Sequence, residues 1–136
     1  MTRSIYARRK VVPLPGSLWE RGDRAWDRGH LDEAERLFKL AAAMGDHVSM
    51  NSLGKLFDDL RRPEDAVRWY KRAVVAGSAI AAWNLAMNYV PLGQRRWYRY
   101  RMKKAAAMGY DDALTEASKL AKDPNYMTKL PLEDDD

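Results

Sequence analysis

The five residues Ala41-Ala42-Ala43-Met44-Gly45 recur unchanged from Ala105 to Gly109, 64 positions later. Midway, Ala73-Val74-Val75-Ala76-Gly77 ends 32 residues after the first copy and 32 before the last. A fixed interval of this length is the mark of a structural unit that is stacked against copies of itself, because one such unit cannot bury its apolar face alone. Other columns keep the interval. Ala34, Phe38 and Ala41 follow Gly22; Ala66, Tyr70 and Ala73 follow Gly54; Tyr98, Met102 and Ala105 follow Ala86, with the same offsets each time. Steps of four and three residues mark one face of a helix. The second half of each unit is therefore a helix that stops at a glycine, the residue that closes helices in the left-handed conformation. Pro63-Glu64-Asp65 suits a first helical turn, since proline needs no donor there and the acids favour the positive end of the dipole.

The first half of each unit is helical too. Met50, Leu53, Phe57 and Leu60 recur at three, four and three, and Ala82, Leu85 and Tyr89 follow the same rule. Arg28-Gly29-His30, Arg61-Arg62-Pro63 and Pro91-Leu92-Gly93 break the chain between the halves. Gly54, like Gly22 and Ala86, is small in mid-helix, where glycine costs about 1 kcal/mol against alanine. Close approach of the paired helix, through the small Ala34 or Ala66, is the expected return. The spacing thus predicts an all-α chain of three antiparallel helix pairs, 17–45, 47–77 and 79–109, and a capping helix over 111–122. The cap is expected to cover the last pair with Leu114, Ala117 and Ala121, and Asp123-Pro124-Asn125 to stop it. Residues 1–16 form a basic N-terminal arm, expected to be flexible, whose Val11-Val12-Pro13-Leu14 is placed to dock on the first pair; residues 123–136 form an acidic, solubilising tail.

These columns resemble the tetratricopeptide superfamily, and most closely its Sel1-like branch. The resemblance rests on Leu53-Gly54, Phe57, Ala66, Trp69-Tyr70-Lys71-Arg72-Ala73 and Gly77, and on the more ordinary tetratricopeptide pattern of Gly22, Gly29, Leu31, Ala34 and Phe38. The loop between the helices is shorter than is usual in the Sel1-like branch. In the third pair Trp97-Tyr98 falls four residues early against Trp69-Tyr70. The glycine register is followed there, because Met102 and Ala105 agree with it. The resemblance implies a short right-handed α-solenoid that serves as a protein-interaction scaffold and is not an enzyme. Its concave surface is formed mainly by the first helix of each pair. In the 32-residue register this surface receives Trp19, Asp23, Trp26 and Asp27, then Asn51, Lys55, Asp58 and Asp59, then Trp83 and Met87, and from the cap Thr115, Lys119 and Lys122.

Within that surface Trp19 and Trp83 share a column, with Asn51 between them. Two aromatic walls around an amide suit a peptide backbone, and Trp is enriched where binding energy concentrates; the plainer reading is that both rings pack between helices. Asp23, Asp27, Asp58 and Asp59 form either an acidic pocket for Lys or Arg of a partner or a solvated face. Gln94 to Lys104 is the strongest local departure: Arg95, Arg96, Arg99, Arg101, Lys103 and Lys104 interleave with Trp97, Tyr98 and Tyr100, with no acid. Such a run can grip phosphates and stack on bases, or it can lay its aromatics on a core and leave the arginines in water.

Composition excludes several chemistries. With no cysteine and two histidines, the chain has no thiolate or self-sufficient imidazole metal site. The serines stand in no nucleophile elbow, and no glycine-rich phosphate cradle occurs. No cofactor is expected. No apolar run has the length of a membrane span, and the basic N-terminus lacks the apolar core of a secretory signal, so the expectation is a cytoplasmic protein. The net charge of +5 permits acidic proteins or nucleic acid as partners without demanding either. Three functions follow: an adaptor that holds another protein or peptide in the groove, a single-domain inhibitor of the immunity-protein kind that blocks a secreted toxin, and a nucleic-acid binder using residues 94–104.

Overall fold

The computed structural model describes residues 15–90 and 94–123, and these are all helical in design: seven helices and no strand among the described residues. They are α1 (Pro15–Asp27), α2 (Leu31–Ala43), α3 (His47–Asp59), α4 (Pro63–Val75), α5 (Ala79–Asn88), α6 (Arg95–Ala107) and α7 (Asp111–Lys122). Helix α1 begins at Pro15, two residues inside the segment assigned above to the arm. Proline there is tolerated because the first N–H groups of a helix have no internal partner. The rest of the basic arm with its Val11–Leu14 segment, the Pro91–Gly93 breaker and the acidic tail beyond Asp123 lie outside the described residues.

The chain leaves α1, α2, α3, α4 and α6 in one way. The residue three past the helix donates to a carbonyl five residues back, as in His30 N to Ala25 O at 2.8 Å and Ser78 N to Ala73 O at 2.9 Å, while its predecessor bonds three back. This double closure needs a left-handed residue between helix and loop. Gly29, Gly45, Gly77 and Gly109 supply it, with φ between 79° and 107°. Arg61, 32 residues after Gly29, takes the same position at φ 59° without being glycine. The helix starts divide by type. Asp46 accepts from Val48 N at 3.1 Å and from the Ser49 hydroxyl at 2.7 Å, and Ser78 Oγ accepts from Ala81 N at 3.1 Å. Helices α2, α4 and α7 instead carry pairs of acids in their first turn: Asp32 and Glu33, Glu64 and Asp65, Asp111 and Asp112. Those charges oppose the positive end of each dipole.

Packing is most extensive between helices consecutive in the chain, closer within the pairs α1/α2, α3/α4 and α5/α6 than between them. One core cluster runs through all three pairs and ends on Ala113 of α7. The small residues in mid-helix have a different neighbour from the one expected. A Cβ on Gly22 would stand 2.7 Å from Phe38 Cε1, and one on Gly54 would collide with the Tyr70 ring. The aromatic ring, not Ala34 or Ala66, presses on the glycine. In the third pair Ala86 and Met102 hold the same two columns, both fully buried: a flexible thioether leaves room for the methyl that a ring does not. The glycine register holds in α6, where Tyr98, Met102 and Ala105 are buried.

The face of α7 differs from the expectation. Ala113 is fully buried and Ala117 and Leu120 half-buried, whereas Leu114 is 48% exposed and Ala121 is exposed. Leu114 stands in the column of Leu18, Met50 and Ala82, all buried. In those three units a second helix covers the column; among the described residues none follows α7.

Candidate functional site

Three sets of side chains are placed by this framework. The first is the row Trp19, Asn51 and Trp83. Trp19 Nε1 on α1 donates to Ser52 Oγ on α3 at 2.9 Å, and Asn84 Nδ2 on α5 donates to Asn51 Oδ1 on α3, also at 2.9 Å. The Trp83 ring lies 5.6 Å from Tyr110, tilted by 44°, at the start of α7. Asn51 is buried, and both tryptophans are half-buried against the core cluster. All three therefore tie one first helix to the next. Indole and amide groups satisfied in this way cost a partner their existing bonds before they can grip it.

The second set is the row one turn further along the same helices. Asp23, Lys55, Met87 and Lys119 sit at 32-residue intervals on α1, α3, α5 and α7; Asp23 is half-exposed, and Lys55, Met87 and Lys119 are exposed. Beside them, Trp26 and Asp58 share a column and do equivalent work with different chemistry. Trp26 packs edge-on against Phe38 at 6.1 Å, while Asp58 Oδ2 accepts a 2.8 Å bond from the Tyr70 hydroxyl. Burial first, then the bond from Tyr70 to Asp58 and the charges of Asp58 and Asp59, hold the Tyr70 hydroxyl well above the ordinary phenol range. Asp27, Asp59 and Lys122 are exposed. Of the four acids considered together, Asp58 thus serves the fold. Among the described residues no three His, Cys, Asp or Glu side chains converge as metal ligands.

The third set is α6. Here the two readings of its mixed sequence divide residue by residue. Tyr98 turns inward, its hydroxyl donating to Glu116 Oε2 at 2.9 Å. Trp97 and Tyr100 turn outward and are 43% and 51% exposed. Trp97 stacks on Tyr89 at 6.1 Å and 25°, and meets Tyr100 at 5.9 Å and 88°. The Arg101 guanidinium lies 5.2 Å from the Tyr100 ring centre and 6.0 Å from that of Trp97. With Arg96 these three line a shallow depression. Arg96, Arg99, Lys103 and Lys104 are exposed and Arg95 is half-buried.

Two features escaped the reading of the sequence. One is a second depression between α1 and α2, lined by Arg21, Arg24, Arg28, His30 and Glu33. The three arginines stand at three and four residue steps, so their common face was open to inspection. The Glu33 carboxyl opposite is held below its usual range, chiefly by the hydrogen bond from Arg36. The other is a break in the acidic column. Asp32 and Glu64 are followed at the next interval by Arg96, and Glu33 and Asp65 by Trp97. No helix among the described residues is long and apolar enough to cross a membrane. A scan against protein-family models matches none, and a search of curated proteins returns no similar sequence.

Proposed function

We propose that the chain is a non-catalytic protein-interaction module of the Sel1-like kind, in which the helix pairs pile into a short right-handed solenoid and a partner lies along the first helices. Consecutive packing of the helices, the repeated left-handed closures and the ring-on-glycine contacts of the first two pairs support the solenoid. The function rests on one observation. Core columns such as Ala41, Ala73 and Ala105, and the left-handed closures of five helices, repeat their chemistry with few changes, whereas the solvent-facing column of Asp23, half-exposed, and Lys55, Met87 and Lys119, exposed, changes from acid to base to thioether to base. A row whose scaffold is constant and whose tips differ presents a patterned surface, with charges that set a partner's orientation and an apolar centre to bury. The half-exposed edges of Trp19 and Trp83 flank this row, and Asp27, Asp59 and Lys122 extend it at its rim.

The test is a variant carrying Lys55→Glu and Met87→Glu together. Both side chains are exposed, so circular dichroism and thermal midpoint should match the parent. Affinity capture from the host cytoplasm, quantified by mass spectrometry, should lose its principal partner at least tenfold. Retention of every captured protein by the double variant would remove the row from function. Capture of one protein in one-to-one complex distinguishes an immunity-type inhibitor from an adaptor, which should bring down several.

A further inference from the structure

We infer that the outer face of α6 is a second binding surface, distinct from the first-helix row, and that it takes an acidic amphipathic helix of a partner protein. Two stripes run side by side along this helix. Arg96, Arg99 and Lys103 stand at i, i+3 and i+7; Trp97, Tyr100 and Lys104 stand beside them at the same steps, with Arg101 bridging the two rings. Such steps define lines nearly parallel to a helix axis. From Arg96 to Lys104 they run over about 12 Å of the helix axis. A helical segment with apolar residues at i, i+3 or i+4 and i+7, and acids on the flank, matches both stripes at once.

Charge makes the choice of acid. Between Gln94 and Lys104 there are six basic residues and no acid. Helices α2, α4 and α7 each place two acids in their first turn, but α6 has none there and begins with Arg95-Arg96. Cations at that end oppose the helix dipole, so this unit gives up a stabilising feature that its neighbours keep. Carboxylates of a bound helix bring to that end the kind of charge that α2 and α4 carry in their own first turns. Ring geometry favours this partner over a nucleic acid. A base-stacking platform needs a free ring face, whereas one face of Trp97 is stacked on Tyr89 and Tyr100 stands across it at 88°. The two rings make a corner bridged by the Arg101 guanidinium, and with Arg96 they line a shallow depression beside which an apolar side chain of a partner helix can lie.

The experiment uses the full chain and a fluorescein-labelled peptide of about 18 residues, or five helical turns, with leucines at heptad positions and glutamates between. Its scrambled form is the control, and a single-stranded oligonucleotide is the competing probe. Anisotropy should show saturable binding of the patterned peptide at least tenfold tighter than of the scrambled one. The triple variant Arg96→Glu, Arg99→Glu, Lys103→Glu and, separately, Tyr100→Ala should each weaken it about tenfold or more. Lys55→Glu with Met87→Glu should leave it unchanged, so that failure here and failure of the first-helix row are told apart. Equal binding of patterned and scrambled peptides overturns the inference, as does indifference to Tyr100→Ala. Tighter binding of the oligonucleotide, lost in the triple variant, reassigns the face to nucleic acid. Sedimentation showing a dimer of the free chain that the triple variant dissociates reassigns it to a second copy.

Discussion

Gly54 and Arg61 sit seven residues apart on α3 and its exit, and backbone sterics bear on them in opposite directions. At Gly54 a methyl group would improve helix propensity by about 1 kcal/mol, but it would drive into the Tyr70 ring, and overpacking of this kind costs about 1–3 kcal/mol. Gly54→Ala should therefore lower stability by about 1–2 kcal/mol in urea denaturation, and more than Gly22→Ala. Arg61 holds a left-handed conformation at φ 59°, for which a side chain costs about 1–2 kcal/mol. Arg61→Gly should raise the urea midpoint, with a gain of about 1 kcal/mol. Tyr70 adds a pH dependence. Its hydroxyl is held above the ordinary phenol value by burial and by Asp58, so the folded chain keeps a proton that the unfolded chain releases. The stabilisation is complete below the unfolded value of about 10 and drains away as pH rises past it. Between pH 9 and about 11 the thermal midpoint of Tyr70→Phe should fall less steeply than that of the parent; an equal fall would mean that folding leaves the proton affinity of the Tyr70 hydroxyl unchanged. The glycines were visible in the sequence because conformation alone demands them. The ring above Gly54 was not, since spacing locates a helical face without saying which side chain of the partner crosses it.

Helix α6 shows how far a repeat can be read at the level of one element. Its apolar face was legible: Met102 and Ala105 keep the interval, and both are buried. The Trp97-Tyr98 pair, which in the preceding unit would be Trp69-Tyr70, is displaced by one turn; Tyr98 therefore takes the column of Ala66, and Trp97 is left outside. What spacing could not supply was the angle between Trp97 and Tyr100, or the stacking of Tyr89, because these depend on how α5 ends. The same helix yields a two-sided prediction. Arg96→Glu restores the first-turn acid that α2 and α4 possess, and should stabilise the fold by about 0.3–1 kcal/mol at low ionic strength. It should at the same time weaken the acidic helix on α6. Stability rising while affinity falls, measured by denaturation and anisotropy on one preparation, is the outcome expected of a residue kept for binding. If both rise, the arginine is not serving an acidic partner.

Among the described residues one main core cluster runs through the three pairs, with Leu18, Leu37 and Ala41 as a smaller second one, and the cover is uneven. Of the largest fully buried side chains, Tyr70, Leu53, Leu56 and Leu85 belong to α3, α4 and α5, while Phe38 lies on α2 and Met102 on α6. Helix α7 contributes Ala113 alone to the buried set. The direction of its inner face was misjudged from sequence: Leu114 has the periodicity of a core residue and the column of Leu18, Met50 and Ala82, yet it is 48% exposed, and among the described residues no second helix follows α7. In a chain whose helices lean mainly on their neighbours in sequence, local stability follows local burial. Hydrogen exchange should therefore be slowest in α3 to α5 and fastest in α7. Substitution at its two adjacent positions should split accordingly. Leu114→Glu alters a side chain that is already 48% exposed and should change stability by no more than about 0.5 kcal/mol. Ala113→Glu forces a carboxylate against the core and should cost several kcal/mol, releasing α7 while the exchange of α3 and α4 stays close to the parent's. Loss of protection through all seven helices in Ala113→Glu would show instead that the chain unfolds as one cooperative unit, with the last helix as integral to it as the first.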